Sequence, residues 1–263
     1  MYMRDRVDTL AKIIAVANQK GGVGKTTTAV NLSACLADKG KRVLLADMDP
    51  QGNATSGLGK ADAEGNTIYD VLLGEAAAVD AVLPTGYGTL DLLPTAIELA
   101  GAEIELVGMD DRETLLRRAL EPLRARYDYI LIDCPPSLSL LTINALTAAD
   151  SVLIPIQCEY YALEGLGQLM NTVKLMRRKL NPDLSIEGIL LTMFDARTNL
   201  CAQVVQEVRA HFPDEVFETM IPRNIRLSEA PSYGRPIHLY DARCIGARAY
   251  GELADELIHR SEV

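Results

Sequence analysis

NQKGGVGKTTT, residues 18–28, holds three glycines, two lysines and three consecutive threonines. It ends the apolar run KIIAVAN (12–18) and opens TTTAVNLSACLADKG (26–40), whose apolar residues recur at helical spacing. A strand, a glycine-rich turn and a helix, in that order, form a phosphate loop. Backbone N–H groups of the turn and of the helix N-terminus then converge on anionic oxygens. Lys25 is placed to reach the β- and γ-phosphates, and Thr26 to put its hydroxyl on Mg²⁺. Gly21, Gly22, Val23, Gly24 and Thr27 complete the nucleotide-binding loop. The usual GxxxxGK[ST] spacing fails at its first glycine, where this chain has Gln19. Lys20 is surplus to a phosphate loop. Composition favours a solvated loop lysine; the alternative is a cation serving the γ-phosphate of a facing subunit.

Outward from the loop, six more apolar runs read as strands: RVLLADMD (42–49), TLDLLP (89–94), YDYILID (127–133), SVLIPI (151–156), IEGILLTM (186–193) and VFETMIP (216–222). Several are continuously apolar, as strands covered on both faces are. RETLLRRALEPLRARY, EGLGQLMNTVKLMRRKL, NLCAQVVQEVRAHF and ARAYGELADELIHRS read as helices between and after them. The alternation predicts an α/β, P-loop NTPase-like fold, a mostly parallel twisted sheet with helices on both faces. No linker or compositional break divides the 263 residues, so one domain over 1–263 is expected, with residues 1–11 a short N-terminal extension.

No run of about 18 apolar residues is present, and the first residues lack a signal-peptide core. A cytoplasmic protein is expected. The acidic, aromatic-poor tail AYGELADELIHRSEV reads as a packed surface helix rather than a membrane anchor. Five widely spaced cysteines without CxxC spacing read as buried free thiols. A net charge of -10 opposes nucleic-acid binding unless positive residues gather on one face. They do cluster: residues 221–250 hold Arg223, Arg226, Arg235, Arg243 and Arg248 against Glu229 and Asp241.

Two acidic positions complete a Mg-nucleotide site. Asp133 ends a strand and precedes CPPS, whose prolines fix a rigid turn, so it suits a water-mediated Mg²⁺ ligand. Asp47 and Asp49 lie on one face at the end of the second strand, and alternation alone does not choose between them. The following segment, residues 50–59, reads as a nearby mobile switch. An adenine ring needs apolar faces with backbone or amide groups along its edge; Met193 and PRN (222–224) offer them.

KGGVGKTT resembles the deviant Walker A box of the ParA/MinD class of ATPases, and the resemblance covers nearly the whole chain. It is nearest the small chromosomal ParA (Soj) subgroup, on DPQGNATSGLG (49–59), IDCPPSLSLLTINAL (132–146), CEYYALEGL (158–166) and IPRNIRLSEAPSYG (221–234). The resemblance implies an ATPase using ATP and Mg²⁺, with Lys20 crossing the interface of an ATP-dependent homodimer. It implies that Asp49 orients the attacking water near Mg²⁺, that Asp47 supports it, and that Pro222 and Asn224 read adenine. Arg197 and Arg226 correspond to a dimer-dependent patch for nonspecific double-stranded DNA, and a ParB-type protein would stimulate slow hydrolysis. The ATP-bound dimer would then sit on the nucleoid. Only a dozen residues precede the first strand, so the extra N-terminal DNA-binding domain of many plasmid partition ATPases is not expected. DARCIGAR departs from the related DPRSRGAE: Ile245 replaces an arginine while Arg248 adds one.

Three other readings compete. One is a nucleotide-controlled regulator acting on a replication initiator or on sporulation-type gene control. Another is a MinD-like membrane switch, which the acidic tail opposes. The last is a nitrogenase-reductase-like electron carrier, for which Cys134 beside Asp133 does not supply the cluster-holding pair.

Overall fold

The computed structural model describes residues 10–159 and 162–262. Most of the expected N-terminal extension, the tyrosines of CEYYALEGL and Val263 therefore lie outside the described residues. Seven strands form one sheet: β1 Lys12–Val16, β2 Val43–Asp47, β3 Leu83–Tyr87, β4 Leu90–Leu93, β5 Tyr129–Asp133, β6 Ser151–Gln157 and β7 Ser185–Thr192. The order is β3-β4-β2-β5-β1-β6-β7, parallel throughout except for the antiparallel edge pair of β3 and β4.

Alternation along the strands sorts the core into two layers. Ile13, Ala15, Leu44, Ala46, Ile130 and Ile132 face one layer, with the helices Leu140–Ala148, Ala162–Lys179 and Asn199–His211 among its cover. Ile14, Val16, Val43, Leu45, Tyr129 and Leu131 face the other, under the helices Lys25–Asp38 and Ile245–Glu262. Both faces are covered, which is why β2 and β5 are buried at every residue. The C-terminal helix packs through Tyr250, Leu253, Ala254 and Leu257, as a packed surface helix should.

The expected strand at 216–222 is not one. Val216 and Pro222 make isolated bridges to Ile189 and Phe194 beside β7, but the ladder breaks between them. There Glu218 and Thr219 turn their N–H groups to the Glu256 carboxylate of the C-terminal helix, at 2.8 and 2.9 Å. A side chain has taken donors that a strand would spend on its neighbour. β3, which the sequence did not announce, takes the opposite edge; its LPTGY carries a proline and a glycine, tolerated at an edge. The long helix expected over 112–127 is broken into Leu115–Leu120 and a 3₁₀ turn, Glu121–Leu123, at Pro122. The cysteines are free thiols, buried except for the half-buried Cys244.

β1 and β2 both pair with β5, so Val16, Asp47 and Asp133 end at one level of the sheet. The phosphate loop, the residues after β2 and the CPPS turn therefore share the C-terminal edge, where ligands of open α/β sheets bind.

Candidate nucleotide-binding site

The loop after β1 is shaped from below. Asn18 is buried, donates to the Pro155 carbonyl (2.8 Å) and accepts from the Lys20 N–H (3.0 Å). Gln19, the residue that breaks the usual motif, donates to Thr172 Oγ1 at 2.9 Å and fastens the loop to the helix Ala162–Lys179. Thr192, at the end of β7, sets its hydroxyl 2.8 Å from the Val23 carbonyl and 3.1 Å from that of Ile156, with one proton to share between them. Gly22 and Gly24 have φ of 74° and 89°, the left-handed region that favours glycine. Gly24 caps the helix Lys25–Asp38 with no side-chain hydrogen bond, which leaves the first N–H groups for a ligand.

Lys25 is buried and its ammonium bends back onto the Lys20 carbonyl at 3.2 Å. Burial lowers its pKa, and the charges of Asp133, Cys134 and Asp49 partly offset that. Asp133 is fully buried, and neither of its oxygens has a hydrogen-bond partner among the described residues. Its pKa stands well above the usual carboxylate value, first because of burial and next because of Asp47; Thr26 and Lys25 act in the opposite direction. A buried carboxylate with two orphaned oxygens beside a threonine hydroxyl fits a hydrated Mg²⁺.

Asp47 and Asp49, which alternation did not separate, have different surroundings. Asp47 is fully buried and committed: Oδ2 accepts from Thr55 N and Oγ1, each at 2.8 Å, and Oδ1 from Asp49 N at 3.2 Å. Thr55 Oγ1 in turn accepts from Thr95 N at 3.1 Å. Burial pushes the Asp47 pKa up to about 6 despite these bonds. Among the described residues the Asp49 carboxylate accepts only the local Gln51 N–H (3.0 Å), and it lines the phosphate cleft. The segment 50–59 contains a short helix, Asn53–Gly57, moored to Asp47 rather than an open loop. Its far end, Gly59, packs backbone against Gly234; a Cβ on Gly234 would lie 2.7 Å from Gly59 Cα.

Two clefts meet at Gly24, Thr27 and Met193. One, of about 340 Å³, is lined by Gly21, Gly22, Lys25, Thr26, Asp49 and Pro136 as well. The other, of about 260 Å³, is bounded by Thr192, Pro222, Asn224, Leu227, Pro231 and Tyr250. Met193 turns the chain after β7 with φ of 52°, and Asn224 caps the next short helix by accepting from Arg226 N at 2.8 Å. Tyr250 and Thr192 were missed by sequence reasoning. Tyr250 is far away in the chain, although its hydroxyl meets Thr28 at 3.2 Å.

Lys20 pairs with the segment that follows β6. Its ammonium lies 3.4 Å from Glu159, with about two fifths of the side chain exposed. Arg197 is exposed and paired with Asp195 at 2.7 Å; Arg226 is half-exposed and paired with Glu229 (2.8 Å) and Asp241 (3.6 Å). Phe194 O accepts from Arg223 N at 3.0 Å, which brings together the segments carrying the two arginines.

Fold and loop together define a P-loop nucleotide-binding ATPase domain. A family model described as an AAA domain matches residues 11–186. The sporulation initiation inhibitor protein Soj of Bacillus subtilis is 64% identical over 250 residues, covering 94% of this chain and 98% of its own. The chromosome partitioning protein ParA of Myxococcus xanthus is 59% identical over 253 residues, covering 96% and 89%. A crystal structure of cobyrinic acid a,c-diamide synthase from Mycobacterium smegmatis, with bound ATP analogue and magnesium, matches at TM-score 0.84 and 40% identity over 96% of both chains. The chain belongs to the ParA/MinD/Soj family of deviant Walker A ATPases, of the chromosome and plasmid partitioning type.

Proposed function

We propose that this chain is an ATP-dependent dimerising switch that, as a dimer, binds double-stranded DNA without sequence preference and drives chromosome or plasmid partition. All of 1–263 acts as one ATPase domain in the cytoplasm, on the nucleoid when dimeric. A ParB-type partner accelerates its slow hydrolysis. The observation that carries the reading is the divided role of Lys20. Its carbonyl belongs to the phosphate loop and holds Lys25, while its ammonium meets Glu159 and its side chain is about two fifths exposed. A cation so placed suits the phosphates of a facing subunit and offsets the repulsion between two nucleotides.

Within one subunit, Lys25 moves from the Lys20 carbonyl to the β- and γ-phosphates. Loop N–H groups from Gly21 to Thr27 hold the remaining oxygens. Thr26 directly, and Asp133 and Asp49 through water, would hold Mg²⁺. When bound, the ion would supply neutralisation of the negative charge on the phosphates. Asp49 orients the attacking water; Asp47 holds the Asp49 backbone and the helix after it. Met193, Pro222 and Asn224 enclose adenine, an arrangement the apolar, amide-edged cleft beside the loop supports.

DNA contact falls to Arg197 and Arg226, whose present partners are surface carboxylates that phosphates can replace. A second reading is a nucleotide-controlled regulator of replication initiation or sporulation-type gene control; its sporulation form is favoured by the similarity to the sporulation initiation inhibitor protein Soj of Bacillus subtilis. Sedimentation and DNA binding of the purified chain with and without ATP test the first reading. It expects a dimer and DNA binding only with ATP. Dimerisation without any DNA affinity would favour the regulator.

A further inference from the structure

A further cavity, of about 330 Å³, opens at the end of the sheet opposite the phosphate loop. Residues at the starts of β1, β6 and β7 line it, together with Arg117, Glu121 and Arg124 from the helical segment before β5. Hydrogen bonds between distant chain segments set its walls. Asp150 accepts from the Ile13 N–H (2.8 Å) and from Arg124 Nη2 at both carboxylate oxygens (3.1 and 2.9 Å). The buried Asn181 donates to the carbonyls of Leu146 (2.9 Å) and Ala149 (2.7 Å). Walls held this way are preorganised for a ligand.

The remaining charges of the cavity are unspent. Arg117 commits only Nε, to the Thr147 carbonyl at 2.8 Å, and its terminal nitrogens have no partner among the described residues. Arg124 Nε is buried, also without a partner among them. Glu121 and Asp183 are exposed, and neither carboxylate is bonded among the described residues. Opposite charges thus line one cavity without pairing, whereas a purely structural cluster satisfies its own donors and acceptors. Asp150 and Arg124 neutralise each other, which leaves one cation and two carboxylates.

We infer that this cavity binds a small molecule bearing one carboxylate and two cationic groups, the chemistry of a basic amino acid. Its carboxylate meets the Arg117 guanidinium, a planar donor fork suited to a planar oxyanion. Its ammonium groups lie toward Glu121 and Asp183, and its aliphatic stem against Ala148, Ala149 and Pro182. Such a ligand balances the unspent charges one for one. A phosphate or dicarboxylate would set like charges against Glu121 and Asp183, and a plain diamine would leave Arg117 facing a cation. Nucleotides of open α/β sheets take the C-terminal edge, and this cavity lies at the other. Occupancy here is therefore independent of the reading of the chain as an ATP-controlled switch.

The test titrates L-lysine, cadaverine, L-glutamate and inorganic phosphate into the full chain by calorimetry, with and without saturating ATP. L-lysine should bind saturably at millimolar concentration or below, and ATP should not displace it. Cadaverine, which lacks the carboxylate, and L-glutamate, which lacks the second cation, should bind about tenfold or more weakly, as loss of a charge-assisted contact does. Arg117→Gln should weaken L-lysine binding by a similar factor. Glu121→Gln with Asp183→Asn should remove the preference for L-lysine over L-glutamate. Hydrogen exchange should show protection at 117–124 and 181–183 in the L-lysine complex. Thermal melts of the variants report folding; should Arg117→Gln melt early, the double variant, at exposed positions, decides alone. No saturable binding, displacement by ATP, equal affinity for phosphate or cadaverine, or affinity indifferent to the variants overturns the assignment.

Discussion

Asp47 and Asp133 are register partners across β2 and β5, and both are fully buried. The two differ in what they touch. Asp47 accepts three protein hydrogen bonds, whereas Asp133 accepts none among the described residues. One carboxylate is already spent on the fold, and its neighbour is kept for a ligand. Both have raised pKa values, with burial the larger cause in each case.

A pH dependence follows from that sign. A carboxyl whose folded pKa is raised contributes stability that is present below its unfolded value and lost as pH rises through the folded one. For Asp47 the window runs from 3.8 to about 6, and for Asp133 it extends upward from the same start. The nucleotide-free protein should therefore lose stability from these two groups as pH rises from mildly acidic to neutral. Asp133→Asn should flatten the loss and raise the apo melting temperature near pH 7, while weakening Mg²⁺-dependent nucleotide binding. Thermal melts of both proteins across that range check it. A variant that melts below wild type at neutral pH would contradict the assignment of Asp133 as an unsatisfied charge.

Thr55 is the hinge pin of the adjoining segment. Thr55→Val removes the hydroxyl that donates to Asp47 and accepts from Thr95, and leaves buried groups short of a partner. The expected destabilisation is about 1–3 kcal/mol, with Thr55→Ser close to wild type. Denaturant melts measure this. Turnover should fall in the valine variant and recover in the serine one, since the oxygen rather than the methyl does the holding.

The sequence made the phosphate loop and the sheet legible because both are written in adjacent residues: glycines before Lys25, and apolar runs at the C-terminal ends of which the acids stand. It left Asp47 and Asp49 undivided, because period two places both on one face. What separates them is Thr55, eight residues on, through a bond that no periodicity records. VFETMIP has strand composition, yet Glu256 of a distant helix diverts its donors. Tyr250 closes the second cleft from the C-terminal helix, and only tertiary packing brings it there. Gln19, which departs from the common motif, becomes intelligible once Thr172 is seen to receive its amide.

Lys20 and Asp49 should separate binding from turnover. Lys20→Ala is expected to bind nucleotide as a monomer and fail to dimerise. Asp49→Ala should bind nucleotide, nearly stop hydrolysis and accumulate as the ATP-bound dimer, because orienting water matters in the transition state more than in the ground state. Glu159→Gln, which frees the Lys20 ammonium from its partner in the same chain, should shift the ATP-dependent dimer to lower protein concentration. Analytical ultracentrifugation follows all three. An undiminished dimer in Lys20→Ala would return that residue to the status of a solvated loop lysine.

A chain of net charge -10 holds DNA only where a local patch outweighs general repulsion, and Arg197 and Arg226 meet neighbouring carboxylates instead. Such exposed ion pairs are worth roughly 0–1 kcal/mol, so a phosphate can displace the carboxylate at little cost. The competition gives a test that charge reversal alone does not. Arg197→Glu or Arg226→Glu should weaken binding of the ATP-loaded protein to two unrelated duplexes equally, because phosphate contacts position without reading bases. Asp195→Asn should do the opposite. It removes the carboxylate held by Arg197 at 2.7 Å and should strengthen binding to both duplexes, with ATP-dependent dimerisation unchanged. Affinity should fall steeply with salt, each neutralised phosphate adding about 0.9 to the log–log slope. Titrations of the two duplexes at two salt concentrations decide the matter. Salt-insensitive binding, or tighter binding by Arg197→Glu than by Asp195→Asn, would move the DNA contact to another face.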